Sequence, residues 1–185
     1  MPSPSTCLAG ALARVSFRGI SSRAATRRGF ASASSSESDD VVDVCVVGGG
    51  IVGTALACAL RASPRTSHLS VLLADRAPLP SSAWQDSLPD QPEPRVSALT
   101  PSSARLLRDV GAWDRVAAAR ACPFVAMQVW DARAPGHVRY DAAEIGASEL
   151  GHVVENRVVH TALAEAAERL GVRVSPPASL AVLRG

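Results

Sequence analysis

The sequence predicts an α/β fold built on a parallel strand, helix, strand unit, and three observations predict it. Residues 41–47, Val-Val-Asp-Val-Cys-Val-Val, form a short apolar run rich in β-branched side chains, the pattern of a buried parallel strand. The run leads directly into Gly48-Gly49-Gly50-Ile51-Val52-Gly53, and an Ala/Leu-rich helical segment continues from Ile51 to Leu60. A second apolar run, Leu69 to Ala74, ends on Asp75, 22 residues beyond Gly53.

Each element has a chemical reading. Gly48, Gly50 and Gly53 form a GxGxxG turn, in which the first glycine permits the tight turn and the second lets a pyrophosphate approach the backbone. The third lets helix and strand pack closely. The helix beyond the turn aims unpaired N–H groups and a partial positive charge at such a ligand. Asp75 stands where a carboxylate accepts hydrogen bonds from adenosine ribose hydroxyls, although a carboxylate after a strand is also often simply solvated. A lone GxGxxG is a weak signal. The preceding strand, the adjoining helix and the acid at the expected distance make this one a dinucleotide site, without separating FAD from NAD, since both present an ADP half to the same turn.

Composition bounds the rest. Hydrophobic residues make up 47% of the chain and mean hydropathy is +0.13, which supports a packed core. All 19 basic residues are Arg. Residues 1–36 hold Arg14, Arg18, Arg23, Arg27 and Arg28 and no acid, which leaves a mildly acidic body. The basic excess therefore sits in a tail, and nucleic-acid binding is not expected, because that footprint needs basic residues clustered on the folded domain. This tail has the Arg, Ser and Ala content of an organellar transit peptide. Leu8, Leu12 and Val15 at helical spacing predict a basic amphipathic helix there in an otherwise disordered segment, with cleavage near Phe30-Ala31. A generic basic tail and a plastid address are the alternatives to a mitochondrial one. Cys7, Cys45, Cys58 and Cys122 show no CxxC or ligand spacing, so Cys45 and Cys58 read as small buried hydrophobes. His68 reads as a loop residue, and His137, His152 and His160 form no metal pattern. No segment reaches the ~20 apolar residues that cross a bilayer.

Beyond Asp75, residues 76–94 read as a long Pro, Ser and Asp-rich surface loop. Arg95-Val96-Ser97-Ala98-Leu99 leads to Thr100 as N-cap, Pro101 at the first helical position, a helix to about Val110, and Gly111 as terminator. Phe124 to Trp130 is strand-like, with Met127 and Trp130 expected to pack in a core. Trp113 is expected beneath the helix turn. A helix from Arg157 to Leu170 is predicted, capped by Asn156 and stopped by Gly171, and Val172-Arg173-Val174 reads as a strand returning to the first sheet.

With these residues in view, the sequence resembles the ubiquinone-biosynthesis ring hydroxylases, a branch of the FAD-dependent aromatic monooxygenases related to p-hydroxybenzoate hydroxylase. The resemblance rests on the glycine turn, on 95–99 with Leu106-Leu107 and Gly111-Ala112-Trp113, on Met127-Gln128-Val129-Trp130-Asp131-Ala132, and on Gly151 through Arg157. It is colinear from about Val41 to Val174, and the Met-Gln-Val-Trp-Asp and Val-Glu-Asn-Arg pairing looks like the mitochondrial members of the branch.

The resemblance implies a Rossmann-like FAD-binding βαβ domain of the aromatic-hydroxylase type over 37–185, with 120–155 starting an interleaved substrate-domain sheet. It implies FAD as cofactor, a polyprenylated phenol as substrate, and a ferredoxin-type or NAD(P)H reductant. A coenzyme Q biosynthesis complex would be a partner, at the matrix face of the mitochondrial inner membrane. Arg95 would approach the flavin's ribityl and pyrophosphate region, with a loop anchor as the alternative role. Arg157 would also face the cofactor, with plain solvation in a first helical turn as its alternative. No catalytic acid, base or nucleophile is assigned. The family's later Asp-Gly and Gly-Asp motifs are expected beyond Gly185, so the chain reads as an incomplete N-terminal portion, inactive alone, with exposed sheet edges. The rival readings are a noncatalytic truncated product and another FAD-dependent oxidoreductase.

Overall fold

The computed structural model describes residues 14–19, 41–81, 91–175 and 177–184. The predicted βαβ unit is present: strand β2 (Val44–Val47), helix α1 (Ile51–Ala62) and strand β3 (Val71–Ala74). β2 and β3 pair in parallel from Val44↔Val71 to Val47↔Ala74. Asp43 and Ser70 lock that register at its start, the Asp43 carboxylate accepting from the Ser70 N–H at 2.7 Å and the Ser70 hydroxyl at 2.6 Å. These bonds hold the Asp43 carboxyl below its ordinary value. The short strand β9 (Arg173–Val174) joins the other side of β3, also parallel, so the return strand read from the sequence completes a sheet of order β2-β3-β9.

A second, antiparallel sheet of order β4-β8-β5 is built from β4 (Val96–Leu99), β5 (Cys122–Phe124) and β8 (Gly151–Glu155). Between β4 and β5 run helices α2 (Pro101–Asp109) and α3 (Trp113–Ala118). Thr100 caps α2 as its sequence implies, its hydroxyl accepting from the Ser103 N–H at 3.2 Å, and Gly111 ends the segment at φ +73°. Trp113 is buried at the start of α3, with the Arg108 guanidinium 4.6 Å from its ring centre and the His152 ring edge-on at 4.9 Å.

Helix α4 (Asn156–Arg169) links the two sheets. It is an Ala-rich helix with Val158, Val159, Ala162, Leu163, Ala166 and Ala167 all buried, packed on α1 and α3. The small residues let α1 approach closely enough for the buried Cys58 thiol to donate to the Leu163 carbonyl at 3.5 Å. At the far end, Arg61 Nε donates to the Leu170 carbonyl at 3.1 Å while its Nη1 donates to the Leu69 carbonyl at 3.0 Å. That one guanidinium ties the α1 and α4 ends to the approach into β3.

The structure differs from the sequence reading in four places. Asn156 is the first helical residue rather than the cap; Glu155 holds the cap position, and the Asn156 side chain accepts the Ser97 hydroxyl instead. The strand-like stretch 124–130 breaks at Val125 into β5 and β6 (Ala126–Trp130), and β6 pairs with β7 (His137–Asp141) as a two-stranded ribbon, succeeded by a 3-10 turn at Ala142–Ile145. Met127 and Trp130 lie on that ribbon 44% and 67% exposed, not in a core, because among the described residues β6 pairs only with β7. The cross-strand pairs Met127↔Tyr140 and Val129↔Val138 share one face, by the two-residue period of a strand. Cys45 is half-buried on the edge strand β2, whereas Cys58 is buried.

The fourth difference falls in the basic tail, where the backbone at β1 (Arg14–Gly19) is a strand, pairing antiparallel with β10 (Ala178–Arg184). Val15 and Phe17 alternate with Arg14, Ser16 and Arg18, a two-residue period that competes with the helical spacing of Leu8, Leu12 and Val15. The rest of the expected amphipathic helix and the cleavage point lie outside the described residues, as do residues 82–90 of the expected surface loop.

Candidate functional site

The three motif glycines are each required for a different geometric reason. Gly48 sits at φ +111°, a conformation that side-chain-bearing residues rarely adopt, and its N–H donates to the Ala74 carbonyl at 2.8 Å, which turns the chain out of the sheet. A Cβ on Gly53 would stand 1.9 Å from the Gly48 carbonyl oxygen, so only glycine lets α1 lie this close to the end of β2. Gly50 is the opposite case. A Cβ there meets no atom within 4 Å, so the space beside it is open.

Gly50 is also the N-cap of α1, makes no side-chain capping bond, and no acid lies in the first turn. The first-turn N–H groups of a helix have no intrahelical partner, so this end is left to an anion from outside. The residues present fit a pyrophosphate.

Asp75 lies where the sequence puts it, at the end of β3, and the structure gives it a contact to the turn itself. Oδ2 accepts the Gly49 N–H at 2.6 Å and Oδ1 accepts the Ala77 N–H at 2.8 Å. The Ala77 bond first, then the Gly49 bond, hold its carboxyl below the ordinary value. A carboxylate has about four acceptor positions, so two donors leave capacity for hydroxyls of a ligand.

Helix α4 brings a residue that the sequence does not mark. His160 Nε2 lies 2.5 Å from the Gly49 carbonyl oxygen, and the buried Thr54 hydroxyl donates to the same oxygen at 3.0 Å. Sequence spacing tests His160 only as a metal ligand, because nothing local links a histidine to a glycine turn 111 residues away. Arg157 lies three residues before His160, in the first turn of α4.

Arg157 is held in a charge cluster around Glu155, which is only 3% exposed. Glu155 Oε2 accepts from Arg157 Nε at 3.2 Å and from the Glu93 N–H at 3.0 Å, and Oε1 lies 3.0 Å from Arg120 Nε. Arg157 Nε is also 3.7 Å from the Glu93 carboxylate. Arg95 is exposed just ahead of β4, and its carbonyl accepts the Asn156 N–H at 2.9 Å, which seats it beside the first turn of α4. Five of the six expected residues thus fall along two neighbouring features, the glycine turn with Asp75 and the start of α4; Arg95 borders the second. Among the described residues no group of three His, Cys, Asp or Glu is placed to hold a metal, and no helix is long and apolar enough to cross a membrane.

A parallel βαβ unit with a glycine turn, joined by one helix to an antiparallel sheet, is the arrangement of FAD-dependent monooxygenases and halogenases, and the fold is theirs. The myxobacterial chondrochloren halogenase aligns at TM-score 0.53 and 20% identity, over 74% of this chain and 28% of that one. The tetrameric form of 2-methyl-3-hydroxypyridine-5-carboxylic acid oxygenase aligns at 0.51 and 19%, over 76% and 36%.

Sequence comparison narrows the class: the chain is a relative of the ubiquinone biosynthesis monooxygenases. It is 40% identical over 143 residues to the mitochondrial ubiquinone biosynthesis monooxygenase COQ6 of Xenopus tropicalis, covering 76% of this chain and 29% of that protein. To the human counterpart it is 36% identical over 142 residues, covering 77% and 29%. To the 3-demethoxyubiquinol 3-hydroxylase of Escherichia coli it is 37% identical over 126 residues, covering 68% and 30%. The chain therefore spans about 30% of the length of these relatives. No family model matches it.

Proposed function

We propose that this chain carries the site for the ADP end of FAD in a monooxygenase that hydroxylates the polyprenylated aromatic ring during ubiquinone biosynthesis. The observation that carries the reading is the glycine turn itself: three glycines with three separate geometric reasons, opening on an uncapped helix end. Gly48 and Gly53 set the turn and the close approach of α1, Gly50 leaves the space for pyrophosphate, and Asp75 offers acceptors to the adenosine ribose. Arg95, ahead of β4, would approach the flavin's ribityl and pyrophosphate region and neutralise phosphate, and Arg157, in the first turn of α4, would face the cofactor. When bound, the flavin supplies the activation of O2 and the transfer of one oxygen atom to an electron-rich ring. This chain's residues bind and orient; none is assigned a proton-transfer role.

The wider reading goes with the family. Residues 1–36 act as a mitochondrial transit peptide, 37–185 belong to the FAD-binding domain, and 120–155 contribute to the sheet of the substrate domain. The working place is the matrix side of the inner membrane, peripherally bound, with a ferredoxin-type or NAD(P)H reductant and a coenzyme Q biosynthesis complex as partners. The mitochondrial names of the relatives and the acid-free Arg-rich tail support this.

The test is Gly50→Val in the full-length protein. A branched side chain placed in the open space before α1 should strip FAD from the purified protein while far-UV circular dichroism stays unchanged. Full flavin stoichiometry in the variant would remove the glycine turn from the site.

A further inference from the structure

Both polar groups of Gly49 are tied down, and the partners come from three different elements. Its N–H donates to Asp75 at the end of β3, and its carbonyl oxygen takes Thr54 from α1 and His160 from α4. A carbonyl oxygen has two lone pairs, so these two donors saturate it. Because that oxygen only accepts, the geometry requires a proton on His160 Nε2.

A peptide unit is planar and trans, so its C=O and the next residue's N–H point in opposite directions. Fixing the Gly49 carbonyl toward Thr54 and His160 therefore aims the Gly50 N–H the other way. At Gly50 itself the position a Cβ would take is also free of any atom within 4 Å.

We propose that His160 is a positioning residue for the anion site, presetting the Gly50 N–H toward the ligand by pinning the Gly49 carbonyl from behind. Thr54 alone cannot do this as firmly, because its hydroxyl sits on the same helix that the turn begins and moves with it. His160 is anchored independently, on a helix whose neighbours Val158, Val159 and Leu163 are buried in the core. The cofactor arm of the idea rests on the function proposed above, and the structural arm does not.

The experiment uses His160→Leu and His160→Gln in the full-length protein, with FAD as the probe. Gln places an amide N–H near the position of Nε2 and Leu removes the donor at similar bulk. In the apo protein, amide hydrogen exchange at Gly49 to Ile51 should quicken at least severalfold in His160→Leu and return toward wild type in His160→Gln. The FAD dissociation constant should rise about tenfold for Leu and stay within about twofold for Gln, the scale of one well-placed hydrogen bond. Unchanged exchange in His160→Leu would overturn the positioning role whatever FAD does. Faster exchange with an unaltered FAD constant would overturn its link to the ligand. Faster exchange in His160→Leu, alongside a wild-type protein that never binds FAD, would support the positioning of the turn and sink the proposed function instead.

Discussion

The βαβ half and the β6–β7 ribbon are both built from short apolar runs, yet one buries its side chains and the other displays them. Around α1 and α4 the apolar residues of three strands and four helices meet in one core, with Leu73, Val158 and Leu163 at most 1% exposed. On the ribbon, Met127, Val129, Val138 and Tyr140 line one face at 44% to 52% exposure. The cause is the element that succeeds each strand. After β2 the chain enters a 12-residue helix that folds back over the sheet, whereas after β6 it turns through a short loop into another strand and brings no second layer. A two-stranded unit has no interior of its own.

Stability measurements on the two regions should separate them, and the largest effect is expected in the packed half. Leu163→Ala should cost about 2–5 kcal/mol in denaturant unfolding, against about 0.5 kcal/mol or less for Val129→Thr on the ribbon. Equal costs would break the contrast. Gly53→Ala comes next, at about 3 kcal/mol, because its methyl group would overlap the Gly48 carbonyl and α1 must shift away. Thr100→Ala, which removes the cap of α2, should cost about 1 kcal/mol. Gly50→Ala should sharpen the point: it meets nothing, so unfolding should move by less than about 0.5 kcal/mol while FAD affinity falls.

The smallest effect is in pH. Because the folded-state pKa of Asp75 is depressed, its contribution to the turn is fully present above the ordinary carboxylate range and is lost only as pH falls through the lowered value. Carbon-13 NMR of the Asp75 carboxyl should therefore show a midpoint below that of an unperturbed aspartate. Asp75→Asn should leave unfolding at pH 7 weaker than wild type and nearly equal to it once the wild-type carboxyl is protonated.

Sequence reasoning reaches the parts governed by local rules. The glycine turn, the strand before it, the Thr100-Pro101 helix start and the Gly111 and Gly171 stops all depend on the conformational needs of a few adjacent residues. It fails where the outcome depends on a partner far along the chain. An apolar strand such as Met127 to Trp130 carries the same pattern whether or not another layer covers it. His160 and Glu155 are ordinary polar residues in sequence; only the packing of α4 on α1 brings one to the Gly49 carbonyl, and only the pairing of β8 with β4 brings the other to Arg120 and Glu93. The alternation at 14–18 shows a third limit, since one short segment satisfies helical and strand periods together and the pairing with β10 decides between them.

The bond between Cys58 and the Leu163 carbonyl gives the protein an internal clock for its own opening. Burial pushes the Cys58 thiol up to about 11, so at pH 7 only about one molecule in ten thousand carries the reactive thiolate there. Cys122 is exposed and Cys45 is half-buried. Among the described cysteines, a thiol reagent should therefore label Cys122 at once, Cys45 more slowly, and Cys58 only when α1 and α4 part. The labelling rate of that third thiol would read the separation of the two helices that enclose the glycine turn, in the unmodified chain and without an added reporter.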